Sequence, residues 1–107
     1  MSAILILTTM PDDASTTDEL SRALIEERLA ACVNVHAPMK STYRWQGRIE
    51  REAERQVVIK TTRERLDAVR KRLHELHPYD LPEFLVLEVS GSDAYLKWVQ
   101  CESEQSG

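Results

Sequence analysis

Ser41-Thr42-Tyr43-Arg44-Trp45-Gln46-Gly47-Arg48-Ile49-Glu50 sets an aromatic pair and a glycine turn between two strand-like runs. Period-two alternation puts Ser41, Tyr43 and Trp45 on one face and Thr42, Arg44 and Gln46 on the other, the pattern of a half-buried strand. The reversal falls at Gln46-Gly47, where glycine supplies the positive φ that a tight hairpin needs. Counted outward, one arm runs from Val33 to Gln46 and the other from Arg48 to Thr61, each about 14 residues, or about 45 Å at about 3.3 Å per residue. A compact chain of this size has a radius of gyration near ~13 Å. Arms of that length overhang the core or curl, and they leave apolar faces and open edges for another subunit to cover. The hairpin therefore predicts an oligomer.

The remaining pattern builds a fold around that hairpin. Ile4 to Thr9 is a continuous apolar run with polar ends, the look of a strand buried on both faces, and Met10-Pro11-Asp12-Asp13 breaks it. From Ala14 to Ala31, Leu20, Leu24, Ile25 and Leu29 cover a helical arc opposite Asp18, Arg22 and Glu26. Cys32 to Val35 resumes β character, and Pro38, which has no N–H for a ladder, marks a bend, bulge or edge. The charged stretch Glu50 to Arg55 faces solvent or a partner, and Val57-Val58-Ile59 enters the core. Thr61 to Glu64 has capping-box spacing, and Leu66, Val69, Leu73 and Leu76 then recur at helical spacing as far as His77-Pro78. Phe84 to Val89 reads as the last strand. Ser92 caps a short final helix from Asp93 to about Gln100, with Tyr95, Trp98 and Val99 as anchors.

The order is α+β, a ferredoxin-like βαββαβ domain with a long central hairpin and a short C-terminal helix. It occupies residues 1–107 as a single domain, with 102–107 as a frayed tail. Helices cover one face of the sheet, and a single chain has nothing left to cover the other.

Composition narrows the function. A net charge of −4 argues against a nucleic-acid or anionic-membrane partner. An RNA-recognition domain shares the element order, but Glu50-Arg51-Glu52-Ala53-Glu54 is unlike its basic aromatic strand. No segment approaches membrane-spanning length, and Ala3 to Leu7 reads as a strand because no basic region precedes it. Cys32 and Cys101 stand without CxxC spacing, which fits a reducing compartment and a cytoplasmic protein.

Several residues carry candidate chemistry. His74 and His77, three apart at a helix end, have a spacing compatible with copper or zinc, although a helix C-terminus attracts histidine for its dipole alone. Cys32 and His36 alternate onto one strand face, where thiolate and imidazole suit copper and simple burial of the cysteine is the competing reading. Lys60 and Glu83 lie at the inner ends of apolar strands, either as a salt bridge or facing a ligand in a cleft between subunits. Tyr43, Trp45, Tyr79 and Trp98 either line that cleft or serve as packing anchors. With no nucleophile triad, no Gly-rich phosphate loop and no HExxH, no catalytic residue is assigned and the chain is not read as an enzyme.

Five stretches taken together point to a family. Leu7 to Asp12, Glu27 to Asn34, Ser41 to Ile49, Ile59-Lys60-Thr61 and His77 to Glu83 resemble the CutA divalent-cation tolerance proteins, in order and across nearly the whole chain. Tyr95-Leu96-x-Trp98 also fits. The resemblance implies a cytoplasmic homotrimer in which long hairpins pair across subunit boundaries. It also implies a role in tolerance of divalent metals, chiefly copper, a trimer architecture like that of PII signalling proteins, and no enzymatic activity. Members with an assigned copper site use a Cys in the strand before the Pro-Asp turn and two consecutive His before Pro-Tyr. This chain has Thr8, Leu76 and His77 at those positions. A hydroxyl and an alkyl group do not replace thiolate and imidazole for a soft metal, so the expectation is copper or another divalent cation held weakly, with His74 or groups from a neighbouring subunit recruited. The alternative is a PII-like trimeric sensor that binds a small anionic ligand in its subunit clefts, near Lys60 and the aromatic residues.

Overall fold

The computed structural model describes residues 2–104. Strand β1 (Ala3–Pro11) leads into helix α1 (Ala14–Glu26), then β2 (Cys32–Val35), β3 (Met39–Trp45) and β4 (Arg48–Thr62). A 3-10 turn at Arg63–Arg65 precedes helix α2 (Leu66–Leu76), strand β5 (Leu85–Glu88) and helix α3 (Asp93–Glu102). The strands form one antiparallel sheet in the spatial order β2-β4-β1-β5, with β3 also paired to β4. This is the ferredoxin-like α+β architecture expected from the sequence, and its long axis of 45 Å against 25 and 23 Å follows the extended hairpin.

Alternation along β1 divides the sheet into two faces. Ile4, Ile6, Thr8 and Met10 are buried while the intervening residues are only half-buried. Leu20 and Leu24 of α1 and Val69 and Leu73 of α2 pack on Ile4, Ile6, Val57 and Ile59 to make the core. The expectation that β1 is buried on both faces is thus corrected, because only one face carries helices. Directly opposed residues share a face, so Leu5, Leu7, Val58, Lys60, Leu85 and Leu87 lie together on the other side. Leu85 and Leu87 are exposed there. The strand also continues through Pro11, where it was expected to break, since a proline at a strand end forfeits no interior ladder bond.

The first hairpin arm is two strands, not one. Val35 opposes Val57 but Met39 opposes Glu54, so His36, Ala37 and Pro38 stand across from only Arg55 and Gln56. That is a one-residue β-bulge at the proline. Before it the even-numbered residues of the arm share a face with Lys60; after it the odd-numbered ones, Ser41, Tyr43 and Trp45, do so. At the tip Gln46 and Gly47 both take positive φ, 50° and 77°.

Three further expectations shift. Helix α1 starts where Asp13 accepts hydrogen bonds from the Ser15 N–H and the Thr16 hydroxyl, but it ends at Glu26, not Ala31. Arg28 turns left-handed at φ 56°, and Ile25 is left exposed. The capping box is absent: Thr61 lies within β4 and its hydroxyl donates to the Leu29 carbonyl at 2.7 Å, leaving nothing for a cap. Finally, α3 runs to Glu102, and the Arg28 guanidinium bonds the carbonyls of Cys101 and Glu104 at 2.8 and 2.7 Å. Ser103 is buried. The start of the expected frayed tail is therefore fixed, and residues 105–107 lie outside the described residues.

Two buried threonines should respond oppositely to the shape-preserving change to valine. Thr8 is fully buried and its hydroxyl has no hydrogen-bond partner among the described residues, so Thr8→Val should stabilise by about 1 kcal/mol. Thr61→Val strips the partner from the Leu29 carbonyl and should cost about 1–3 kcal/mol. Urea midpoints at unchanged slope measure both.

Candidate functional site

Strand β5 pairs with β1 only over Ile4 to Leu7. Beyond that point the loop between α2 and β5 runs beside β1, and side chains reach the backbone carbonyls at this end of the strand. Gln56 Nε2 donates to the Thr8 carbonyl at 2.8 Å, and His77 Nε2 lies 2.7 Å from the Thr9 carbonyl. A carbonyl only accepts, so His77 Nε2 carries a proton. Its Nδ1 then accepts from the Tyr79 N–H at 3.1 Å. Buried between backbone groups, the ring sits as a neutral imidazole, its pKa pushed below the ordinary value chiefly by burial and also by His74, against the upward pull of the Thr9 carbonyl and Glu54.

That geometry bears directly on metal binding. Both His77 nitrogens are occupied by the backbone, and neither offers a lone pair to a cation. His74 is exposed, and its Nδ1 donates to the Arg70 carbonyl at 2.9 Å, which leaves only Nε2. Thr8, at the position of the family cysteine, is buried against the helices. Cys32 Sγ lies 3.8 Å from the Asn34 Oδ1. Among the described residues no group of three or more His, Cys, Asp or Glu converges as a closed metal site requires. These residues do not fit a copper centre.

Beside His77 the same loop forms one wall of a cleft of about 720 Å³. Ser41, Tyr43 and Trp45 of β3 and Glu54 of β4 form the opposite wall, Thr9 lies at its base, and residues 78–83 close the loop side. The size is that of a small-molecule site. Glu54 is buried, and its Oε2 accepts from the Tyr79 hydroxyl at 2.7 Å. Burial and that carboxylate hold the Tyr79 phenol far above its ordinary pKa, so it stays a proton donor. Tyr43 is shifted the same way, by partial burial and then by Glu52, Glu54 and Glu50. Glu83 accepts from Gln56 Nε2 at 2.9 Å.

The residues expected to share one cleft separate into two groups. Tyr43, Trp45, Tyr79 and Glu83 come together. Lys60 lies four residues beyond Gln56 on β4, about 13 Å away at strand spacing, and its Nζ donates to the Tyr95 hydroxyl at 3.3 Å. Trp98 stacks near Tyr95 with ring centroids 5.5 Å apart, at the α3 end of the sheet. Lys60 and Glu83 therefore form no salt bridge with one another within the chain. Glu54, Asp80 and Gln56 were not singled out in the sequence. Its charge alternation hid Glu54, which looked like one more solvent-facing residue of Glu50 to Arg55, although the even positions there share the face of Tyr43.

The stretch of chain that builds this cleft lies within the match to a known family. The CutA1 divalent ion tolerance protein model matches residues 4–102. The chain belongs to the CutA family. A divalent-cation tolerance protein CutA from Pectobacterium atrosepticum is 45% identical over 98 residues, covering 91% of this chain and 88% of that one. The crystal structure of CutA from Xylella fastidiosa superposes with a TM-score of 0.92 at 44% identity, over 97% of this chain and all of the other. A CutA from a Nostoc species, described as PII-like, has a TM-score of 0.87 at 34% identity over 96% of this chain and 99% of its own. Among the described residues no helix is long and apolar enough to cross a membrane.

In this CutA chain His77 makes stability depend on pH. Its folded pKa lies below the ordinary 6.5, so between those values the unfolded chain binds more protons and stability rises with pH. The contribution is complete above pH 6.5 and is lost as pH falls through the folded value. Urea midpoints at pH 7.5 and 5.5 should drop on acidification, and His77→Gln should flatten that difference while lowering stability at both pH values.

Proposed function

We propose that this chain serves divalent-cation tolerance as a non-catalytic, homotrimeric, cytoplasmic protein that responds to a small ligand in the cleft between the hairpin and the 77–83 loop. The observation that carries this reading is the contrast at His77. The imidazole expected to hold metal is spent on the backbone, whereas the neighbouring cleft is open and lined with aromatic and acidic groups. The exposed leucines of the helix-free face and the overhanging hairpin support assembly, since both leave apolar surface that a trimer would bury. The PII-like description of the Nostoc relative supports the sensing role. Copper binding is weak on this reading and rests on His74 Nε2. The anionic ligand expected near Lys60 is replaced by one that answers to the cleft, because Lys60 is not among its walls.

Native mass spectrometry with and without stoichiometric Cu(II) should show a trimer with low copper occupancy. His74→Ala should reduce that occupancy further and His77→Ala should not. A monomer at micromolar concentration, or full copper occupancy lost in His77→Ala, contradicts the proposal. A metabolite thermal-shift screen tests the cleft itself. A stabilising compound whose effect disappears in Trp45→Ala is the expected outcome, because binding to the native state raises apparent stability.

A further inference from the structure

The walls of the cleft carry one sign of charge. Glu54, Asp80 and Glu83 line it, and no lysine, arginine or histidine does. Glu50 and Glu52 stand on the same face of β4, opposite Tyr43 and Ser41. Lys40 and Arg44 of β3 and Arg51 of β4 occupy the other side, turned away from the cleft, while Arg48, opposite Trp45 at the hairpin tip, shares the acidic face but is not among the lining residues. Partial burial and then Glu52, Glu54 and Glu50 push the Tyr43 phenol above its ordinary pKa.

The carboxylates are not neutralised within the chain. Glu54 takes one neutral donor, the Tyr79 hydroxyl, on Oε2, and Glu83 takes one neutral donor, Gln56, on Oε2. Neither is in an ion pair among the described residues. Beside them Tyr43 and Trp45 project from alternate positions of β3, each about two-fifths exposed, and Tyr79 faces them from the loop. Aromatic faces with nearby carboxylates are the surroundings that attract a poorly hydrated organic cation, through ring quadrupoles and Coulomb attraction together. A small metal ion would instead ask for several converging oxygens or nitrogens, and no such group of three is present among the described residues.

Building on the reading of this cleft as a ligand site, we propose that its occupant is a compact organic cation, an alkylated or quaternary ammonium, held among Tyr43, Trp45 and Tyr79 with Glu54, Asp80 and Glu83 as counter-charges.

Isothermal titration of the assembled full-length protein with three probes of one shape tests the charge requirement. The probes are choline, its uncharged carbon analogue 3,3-dimethylbutan-1-ol, and the anion 3,3-dimethylbutanoate. Choline should bind roughly tenfold or more tightly than the alcohol, the order expected when a desolvated cation meets aromatic faces. The anion should not bind. Choline affinity should fall as ionic strength rises. Glu54→Gln should weaken choline severalfold and leave the alcohol unchanged. Asp80→Asn, at an exposed position, should shift choline in the same direction and guards against a Glu54 variant that misfolds. Equal binding of choline and the alcohol, abolished by Trp45→Ala, overturns the cationic class but keeps the cleft as a ligand site. Silence from all three probes also overturns the cationic class, and the ligand-site reading is then decided separately by the metabolite screen.

Discussion

Strand β4 carries the ladders on which this molecule depends. Its 15 residues hydrogen-bond to β1 along one edge and to β2 and β3 in turn along the other. The pairing with β1 is continuous from Ala3 opposite Thr62 to Pro11 opposite Glu54. Because side chains alternate along a strand, that single register decides which residues join the core and which join the open face. Val57, Ile59 and Thr61 go under the helices; Glu54, Gln56, Val58 and Lys60 do not. A slip of one residue would drive a lysine and a glutamate into the core, where each would be costly without a partner.

The candidate site follows from where β5 stops. A full-length last strand would have satisfied the carbonyl of Thr9 by ordinary pairing, whereas that of Thr8 faces β4. Its shortness leaves the Thr9 carbonyl to His77, and in doing so it pins the 77–83 loop alongside β1 and opposite the hairpin. His77 is thereby a structural residue with the composition of a ligand, which is why its place in a helix-end histidine pair was suggestive in the sequence and its chemistry in the fold is different.

Most of the architecture was legible because it rests on short-range periodicity. The hairpin turn at Gln46-Gly47, the strand at Ile4 to Thr9 and the helix through Leu66, Val69 and Leu73 all announce themselves by spacing. The failures share a long-range cause. Thr61 looked like a cap because nothing local reveals that the Leu29 carbonyl waits 32 residues away. Ile25 looked buried because helical spacing does not say where Arg28 will turn the chain. At the site, Tyr43, Trp45, Tyr79 and Glu83 line one cleft, whereas Lys60 and Trp98, expected beside them, lie at the other end of the sheet within the chain. Sequence named the residue types, while distance along a strand set which of them meet.

The bulge at His36 to Pro38 also has a genetic meaning. It adds one residue to the arm between β2 and β3, so that even-numbered residues of β2 and odd-numbered residues of β3 share one face of the sheet. Losing a single codon there would preserve all of the downstream amino acids and, because the Gln46-Gly47 turn holds β3 in register with β4, would throw the shift onto β2, turning Asn34 toward the helices where Val33 and Val35 now pack. A lineage carrying such a deletion would keep the aromatic motif and its facing, and would have to rebuild the strand that follows α1.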